Sequence, residues 1–339
     1  MRITSCLATL CLVAGAGCGD DDGPRDASPP DAAPGHDSAA TDAGPDSDPI
    51  LDPHLFDCTS PGATDETMLP ARASLVPVSC GLDPACVTPQ VSGHRGVGGT
   101  LGRIAPEDTL AAYRAGIALG LEYVETDPRP TADGVIVNVH DTTVDRTTDG
   151  TGTVDEMTFE EIRALHIRTD LPGDFDCERI PTLEEILRMC RERVIVLIDA
   201  NKTDRVDLLV EAVRAADALE WAIFDTTSTD KIDRALAMEP SLYFMIRPGS
   251  VDEISTQLDH YAPLLPVIVE LGPGDVEAGA PVVRARGTRT LTDVFVADVL
   301  VNLSGDPMGY VDALEAGADI LQSDRPDAVI ALLRSRGDR

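Results

Sequence analysis

Nine short β-branched runs, most of them separated by stretches of helical character, succeed one another from residue 90 to near the C-terminus. They cover residues 91–95, 123–127, 135–140, 194–199, 221–225, 242–247, 267–271, 289–293 and 319–323. Such an alternation predicts a parallel sheet covered by helices. A (β/α)8 (TIM) barrel has eight strands, so one run must be an edge or irregular segment. Leu110, Tyr113 and Ile117 share one helical face ahead of Gly120, a good C-terminal stop. Thr158 with Glu161 and Thr182 with Glu185 form capping boxes, T-x-x-E ahead of apolar periodic runs. Residues 307–316 and 327–334 read as helices, and 165–181 and 272–288 as the longest loops. With no internal repeat in the 339 residues, a single α/β barrel domain over 91–336 is the economical reading.

The N-terminal region has another composition. Arg2 precedes an apolar run, 6–14, too short to span a bilayer, and Gly15-Ala16-Gly17 leads to Cys18. This resembles a bacterial lipoprotein signal over 1–17, which implies a lipidated Cys18 and an exported, membrane-anchored lipoprotein, periplasmic or at the cell surface. A plain secretory signal would give a secreted protein instead. Residues 18–57 read as a solvated Asp/Pro/Ala-rich tether, with nine Asp against one Arg in 19–50. Residues 58–90 form an extension to the barrel. Export makes disulfides plausible among Cys58, Cys80, Cys86, Cys177 and Cys190. The pairs closest in sequence are Cys80–Cys86 and Cys177–Cys190, leaving Cys58 odd. No CxxC spacing supports a zinc site. The formal charge of −32 excludes a nucleic-acid partner.

Charge gathers at the ends of the first three runs. Glu125 and Asp127, two apart on a strand, point to one face. Two carboxylates so close are either solvated on an exposed face or share a hard cation such as Ca²⁺ or Mg²⁺. His94 and Arg95, at a strand end before a Gly-rich loop, combine an acid/base with an anion clamp. His140 at another strand end supplies a second imidazole. Two imidazoles and a cation are what attack on phosphorus requires. Arg129 reads as a solvated charge.

The series His94-Arg95-Gly96, Pro106-Glu107-Asp108-Thr109-Leu110, Glu125-x-Asp127, Thr131-Ala132-Asp133-Gly134, His140-Asp141 and Asp145-Arg146-Thr147-Thr148 resembles the glycerophosphodiester phosphodiesterase family. Ile180-Pro181-Thr182-Leu183-Glu184-Glu185 and Ser323-Asp324-Arg325-Pro326 fit its later motifs. The resemblance implies a TIM barrel that hydrolyses glycerophosphodiesters to an alcohol and glycerol 3-phosphate with a divalent cation. It makes His94 and His140 the acid/base pair, through a cyclic phosphate formed by the substrate's own hydroxyl. Glu125, Asp127 and Asp199 become metal ligands, Arg95 and Lys202 phosphate contacts, and Glu107 a supporting residue. Lys202 comes one residue later than in the family pattern, where Asn201 stands. The alternatives are a phospholipase D-like enzyme of the same barrel, acting on lysophospholipid or sphingomyelin, and a non-catalytic ligand-binding lipoprotein. The expected partners are a small phosphodiester substrate and a membrane, with no obligate protein partner.

Overall fold

A computed structural model of the chain describes residues 52–69, 78–86 and 89–339. The expected signal segment, Cys18 and the tether up to residue 51 lie outside the described residues. Among the described residues the strands are β1 (Gln90–Gly93), β2 (Tyr123–Thr126), β3 (Pro128–Pro130), β4 (Ile136–Asn138), β5 (Ile195–Asp199), β6 (Ala222–Thr226), β7 (Tyr243–Ile246), β8 (Ile268–Glu270), β9 (Arg289–Asp293) and β10 (Ile320–Ser323). The helices are α1 (Leu110–Leu119), α2 (Phe159–Arg163), α3 (Leu183–Cys190), α4 (Val206–Ala215), α5 (Thr229–Met238), α6 (Val251–Tyr261), α7 (Val276–Ala285), α8 (Phe295–Ser304), α9 (Met308–Ala316) and α10 (Pro326–Arg336). Both capping boxes form, and α1 ends on Gly120 in the left-handed conformation.

Eight strands close a parallel barrel in the order β1-β10-β9-β8-β7-β6-β5-β2. The run left over is 135–140. It supplies β4, which pairs antiparallel with β3 outside the barrel. Pro128 and Pro130 lack N–H donors, so β3 cannot serve as a central strand and turns out into a hairpin. Residues 272–288 are not a loop. They contain α7, whose Gly279 and internal Pro281 hide the helical signal.

Tyr123, Ile195, Leu197, Ile223, Met245, Ile268, Leu291 and Ile320 pack together inside the barrel. With a period of two, the next inward positions toward the C-terminal ends are Glu125, Asp199, Asp225, Arg247, Glu270, Asp293 and Gln322, all but the last charged. An aliphatic barrel therefore carries a charged mouth. At the other end, Tyr123 Oη donates to the Gly81 carbonyl (2.7 Å) and Leu82 packs on the interior cluster. A Cβ on Gly81 would collide with Ile195, so the loop closed by the Cys80–Cys86 disulfide plugs the floor of the barrel.

The other disulfide joins Cys58 to Cys177, 119 residues apart, and not Cys177 to Cys190. Cys190, the last residue of α3, is a buried free thiol, and burial pushes its pKa up. Residues 52–57 belong to the fold and not to the tether. Phe56 is 1% exposed, its carbonyl accepts from Arg114 Nε at 2.7 Å, and Asp57 is buried beside it. The buried Phe56 ring, the Asp57 carboxylate accepting from the Asp174 N–H (3.0 Å) and the Cys58–Cys177 disulfide together join this segment to the folded unit.

Candidate active site

Gly93 ends β1 at a turn so tight that a Cβ there would strike the Gly96 carbonyl. Arg95 and Gly96 complete it with φ of +50° and +90°, a conformation that costs a non-glycine residue energy and is found where function fixes a side chain. The turn aims His94 into the mouth. His94 Nδ1 lies 2.6 Å from Asp324 Oδ1, across 230 residues of sequence. Asp324 also accepts the N–H groups of Gly99 (3.1 Å) and Leu101 (2.9 Å). Burial alone would raise the Asp324 pKa, but the His94 ring and these N–H groups hold it below the usual carboxylate range. A carboxylate accepts, so Nδ1 carries the proton and Nε2 is left for chemistry. Nε2 points toward Glu125, 3.9 Å away.

Glu125, Asp127 and Asp199 bring carboxylate oxygens within 4.8 Å of one another, all three residues buried. Burial, and then Asp127, Asp199 and Asp108, push Glu125 well above the ordinary carboxylate pKa. Asp127 Oδ2 is buried with no hydrogen-bond partner. An orphaned oxygen among crowded carboxylates fits a hard divalent cation of the Ca²⁺ or Mg²⁺ kind. Lys202 Nζ sits 3.0 Å from Asp127 Oδ1 and 3.9 Å from Asp199. Its late position in sequence is absorbed by the 3-10 turn Ala200–Lys202, which Asp199 caps by accepting from the Asn201 N–H. Arg95 Nη1 donates to Glu107 Oε1 at 2.9 Å, and its Nε lies 3.5 Å from the same Asp127 Oδ2 without forming a hydrogen bond to it.

His140 reaches the mouth from outside the barrel. The β3–β4 hairpin and α2 enclose a small core of Val137, Val139, Val144, Val154, Ile162 and Ile180. This excursion carries His140, whose Nδ1 lies 2.8 Å from Asp141 Oδ1. Burial lowers the His140 pKa, more than the Asp141 hydrogen bond raises it. Arg146 donates to Asp141 (2.7 Å) and to both oxygens of Glu107 (2.9 and 2.6 Å), tying the excursion to the loop that holds Arg95.

The sequence model of the Glycerophosphoryl diester phosphodiesterase family matches residues 94–244, the stretch that carries both imidazoles and the three clustered carboxylates. Over that stretch the chain is similar to this family. Over 118 residues it is 45% identical to glycerophosphodiester phosphodiesterase 1 of Bos taurus, covering 34% of each chain. The match thus spans about a third of that curated relative's length. A crystal structure of a family member from Parabacteroides distasonis superposes with a TM-score of 0.66 at 26% identity, covering 76% of this chain and 90% of that one. An Oleispira antarctica phosphodiesterase, solved in complex with the product sn-glycerol-3-phosphate, shares the fold at 20% identity (TM-score 0.60, 75% and 99% covered).

Every residue singled out in the sequence, from His94 to Lys202, stands at this mouth, and Glu107 links to it through Arg95 and Arg146. Others went unassigned, Asp141 and Arg146 among them. Asp324 was visible only as part of a late motif. Asp108, with φ of +60°, is buried and accepts from the Asn138 amide (2.8 Å) and the His140 N–H (3.1 Å). Asn138 Oδ1 in turn accepts the Asp127 N–H at 2.7 Å. Arg129 is no solvated charge. Half-buried, it donates to the carbonyls of Val139 and His140 at 2.7–3.1 Å within the excursion, and to the Lys202 carbonyl (3.4 Å) just beyond β5, which fastens the excursion to the barrel rim.

Proposed function

We propose that the chain hydrolyses glycerophosphodiesters to an alcohol and glycerol 3-phosphate. The observation that carries this reading is the convergence of two imidazoles, each held through Nδ1 by a carboxylate, on a carboxylate cluster with one orphaned oxygen. Glu125, Asp127 and Asp199 would hold Ca²⁺ or Mg²⁺, which when bound neutralises charge on the phosphate. Arg95 and Lys202 add positive charge at the same place, and their carboxylate partners keep both side chains extended toward it. His94 and His140 move the protons. One takes the proton of the substrate's own glycerol hydroxyl as it attacks phosphorus, and the other protonates the departing alcohol oxygen. A cyclic phosphate results, and water opens it with the two roles exchanged. No protein nucleophile is required. Asp324, Asp141 and Asp108 act through the groups that they orient.

The leader segment supports export with Cys18 as lipid anchor, which places the enzyme at a membrane. The test is release of glycerol 3-phosphate from glycerophosphocholine and glycerophosphoethanolamine, beside release of choline from lysophosphatidylcholine and sphingomyelin, with chelator and after Ca²⁺ or Mg²⁺ is restored. Metal-restored turnover of the glycerophosphodiesters is expected. Turnover that survives chelation would remove the metal site, and turnover of the lipids alone would transfer the chain to the phospholipase D-like reading.

A further inference from the structure

Helix α8 has two unlike faces. Its one charged residue, Asp298, is buried and accepts from Tyr310 Oη (2.7 Å), Ser323 Oγ (2.6 Å) and the Asp324 N–H (2.7 Å). Asn302 donates to the Leu101 carbonyl at 3.4 Å and accepts from Arg325. Those contacts fasten the helix to the strand end whose Asp324 holds His94, and to the loop that follows His94. The outer face is bare: Phe295, Val296, Leu300 and Leu303 are 44%, 71%, 45% and 80% exposed, and Met308 beyond them 51%. These are five of the eight large hydrophobic side chains most exposed among the described residues, so they form a patch and not a scatter. At 100° per residue the four on α8 fall in one stripe.

Beside the stripe lies a groove of about 510 Å³ between α7, α8 and α9. It begins at Thr292 and Asp293 on the barrel mouth and runs along Val296, Ala297 and Leu300. The apolar face is thus continuous with the mouth. In a chain of net charge −32 this helix exposes no charge at all. That argues against a second copy, which would bring the same long-range repulsion to a face whose groove is itself lined by the carboxylates Glu277 and Asp312. A surface of neutral head groups over hydrocarbon needs no charged partner and takes an uncharged apolar stripe directly.

We propose that the outer face of α8, with Met308 and the adjoining groove, docks on a bilayer of zwitterionic lipids and turns the barrel mouth toward it. An anchor at Cys18 alone would not do this. Residues 19–51 lie between that cysteine and the described fold, a connection that can reach on the order of 100 Å when extended. The face supplies orientation where the tether supplies only proximity. The docking face stands on the helix itself; its use, presentation of lipid-derived diesters, rests on the phosphodiesterase reading.

The test uses the full chain as Cys18→Ser, which carries no acyl anchor, in flotation with phosphatidylcholine vesicles. The chain is expected to float with the vesicles, and Val296→Asp with Leu303→Asp to lower partitioning at least about tenfold. Neither side chain is among those that hold the imidazoles or the carboxylate cluster, so glycerophosphocholine turnover in solution should stay within about twofold. Absence of flotation by the Cys18→Ser chain, or undiminished flotation of the double variant, overturns the proposal. So does a dimer in sedimentation velocity that the double variant dissolves, since the face would then belong to a second copy. Flotation that depends on Val296 and Leu303, without turnover of glycerophosphocholine, would sink the catalytic reading and leave the docking face standing.

Discussion

The two imidazoles at the mouth are held alike but stand on platforms of different stiffness. His94 leaves β1 directly, and its partner Asp324 leaves the neighbouring strand β10, 2% exposed and further fixed by two backbone N–H groups. His140 ends a hairpin that lies outside the barrel, and its partner is the adjacent residue. The Asp141 side chain is 32% exposed and shared with Arg146. A barrel rim sets position through the register of its strands. An excursion must set it through its own small core and a few cross-links, here Arg129, Arg146 and the Cys58–Cys177 disulfide. The lesson is that equivalent chemistry on the two sides depends on unequal support.

That inequality can be probed by substitution. His94→Ala and His140→Ala should be equal and severe, each lowering kcat/KM for glycerophosphocholine by about 100- to 10,000-fold with the fold intact by circular dichroism. Near-normal turnover in either would remove that residue from the proposed pair. Cys58→Ser frees the loop beneath the excursion. It should cost about 2–5 kcal/mol in denaturant unfolding, through loss of a long closed loop, and unchanged stability would show that the disulfide braces nothing.

The supporting carboxylates should then separate the two sides. Asp324→Asn is expected to lower kcat/KM by roughly 10- to 100-fold, the scale of losing a carboxylate that orients a functional imidazole. Asp141→Asn should cost less than about tenfold, because a half-exposed partner contributes less than a buried one. Equal losses would erase the distinction. The smallest effect is on pH. Burial holds His140 below the ordinary imidazole value of 6.5, so the limb of the pH–rate profile that titrates it should lie on the acid side of that value. Asp141 raises the His140 pKa, so Asp141→Asn should carry that limb further to acid, by less than about one unit. A shift to alkali would contradict the geometry.

The barrel was legible because its strands repeat one pattern, apolar residues ending in a charge, and because Thr158 and Thr182 announce their helices. Glu125, Asp127, His94 and His140 were legible for the same reason, being charges at strand ends. What escaped depends on distance in the chain. Asp324 lies 230 residues from its imidazole, and Cys58 lies 119 from Cys177, whereas proximity in sequence had suggested Cys190. Asp108 escaped because its backbone enters the left-handed region, which nothing in its neighbours signals. The helix α8 escaped too, since apolar residues on both of its faces blur the period that reveals an amphipathic helix.

The plugged floor of the barrel has a bearing on traffic. With Gly81 seated against Ile195 and the interior filled by Tyr123 and its neighbours, the described residues close the floor and leave the mouth as the doorway. Whatever enters must depart the way it came, so in the proposed reaction an alcohol split from the outer end of the substrate has to clear the entrance before a phosphate held by Arg95 and Lys202 can follow. Departure in that sequence makes the phosphate-bearing fragment the last occupant, and it becomes the natural competitor of the next substrate molecule.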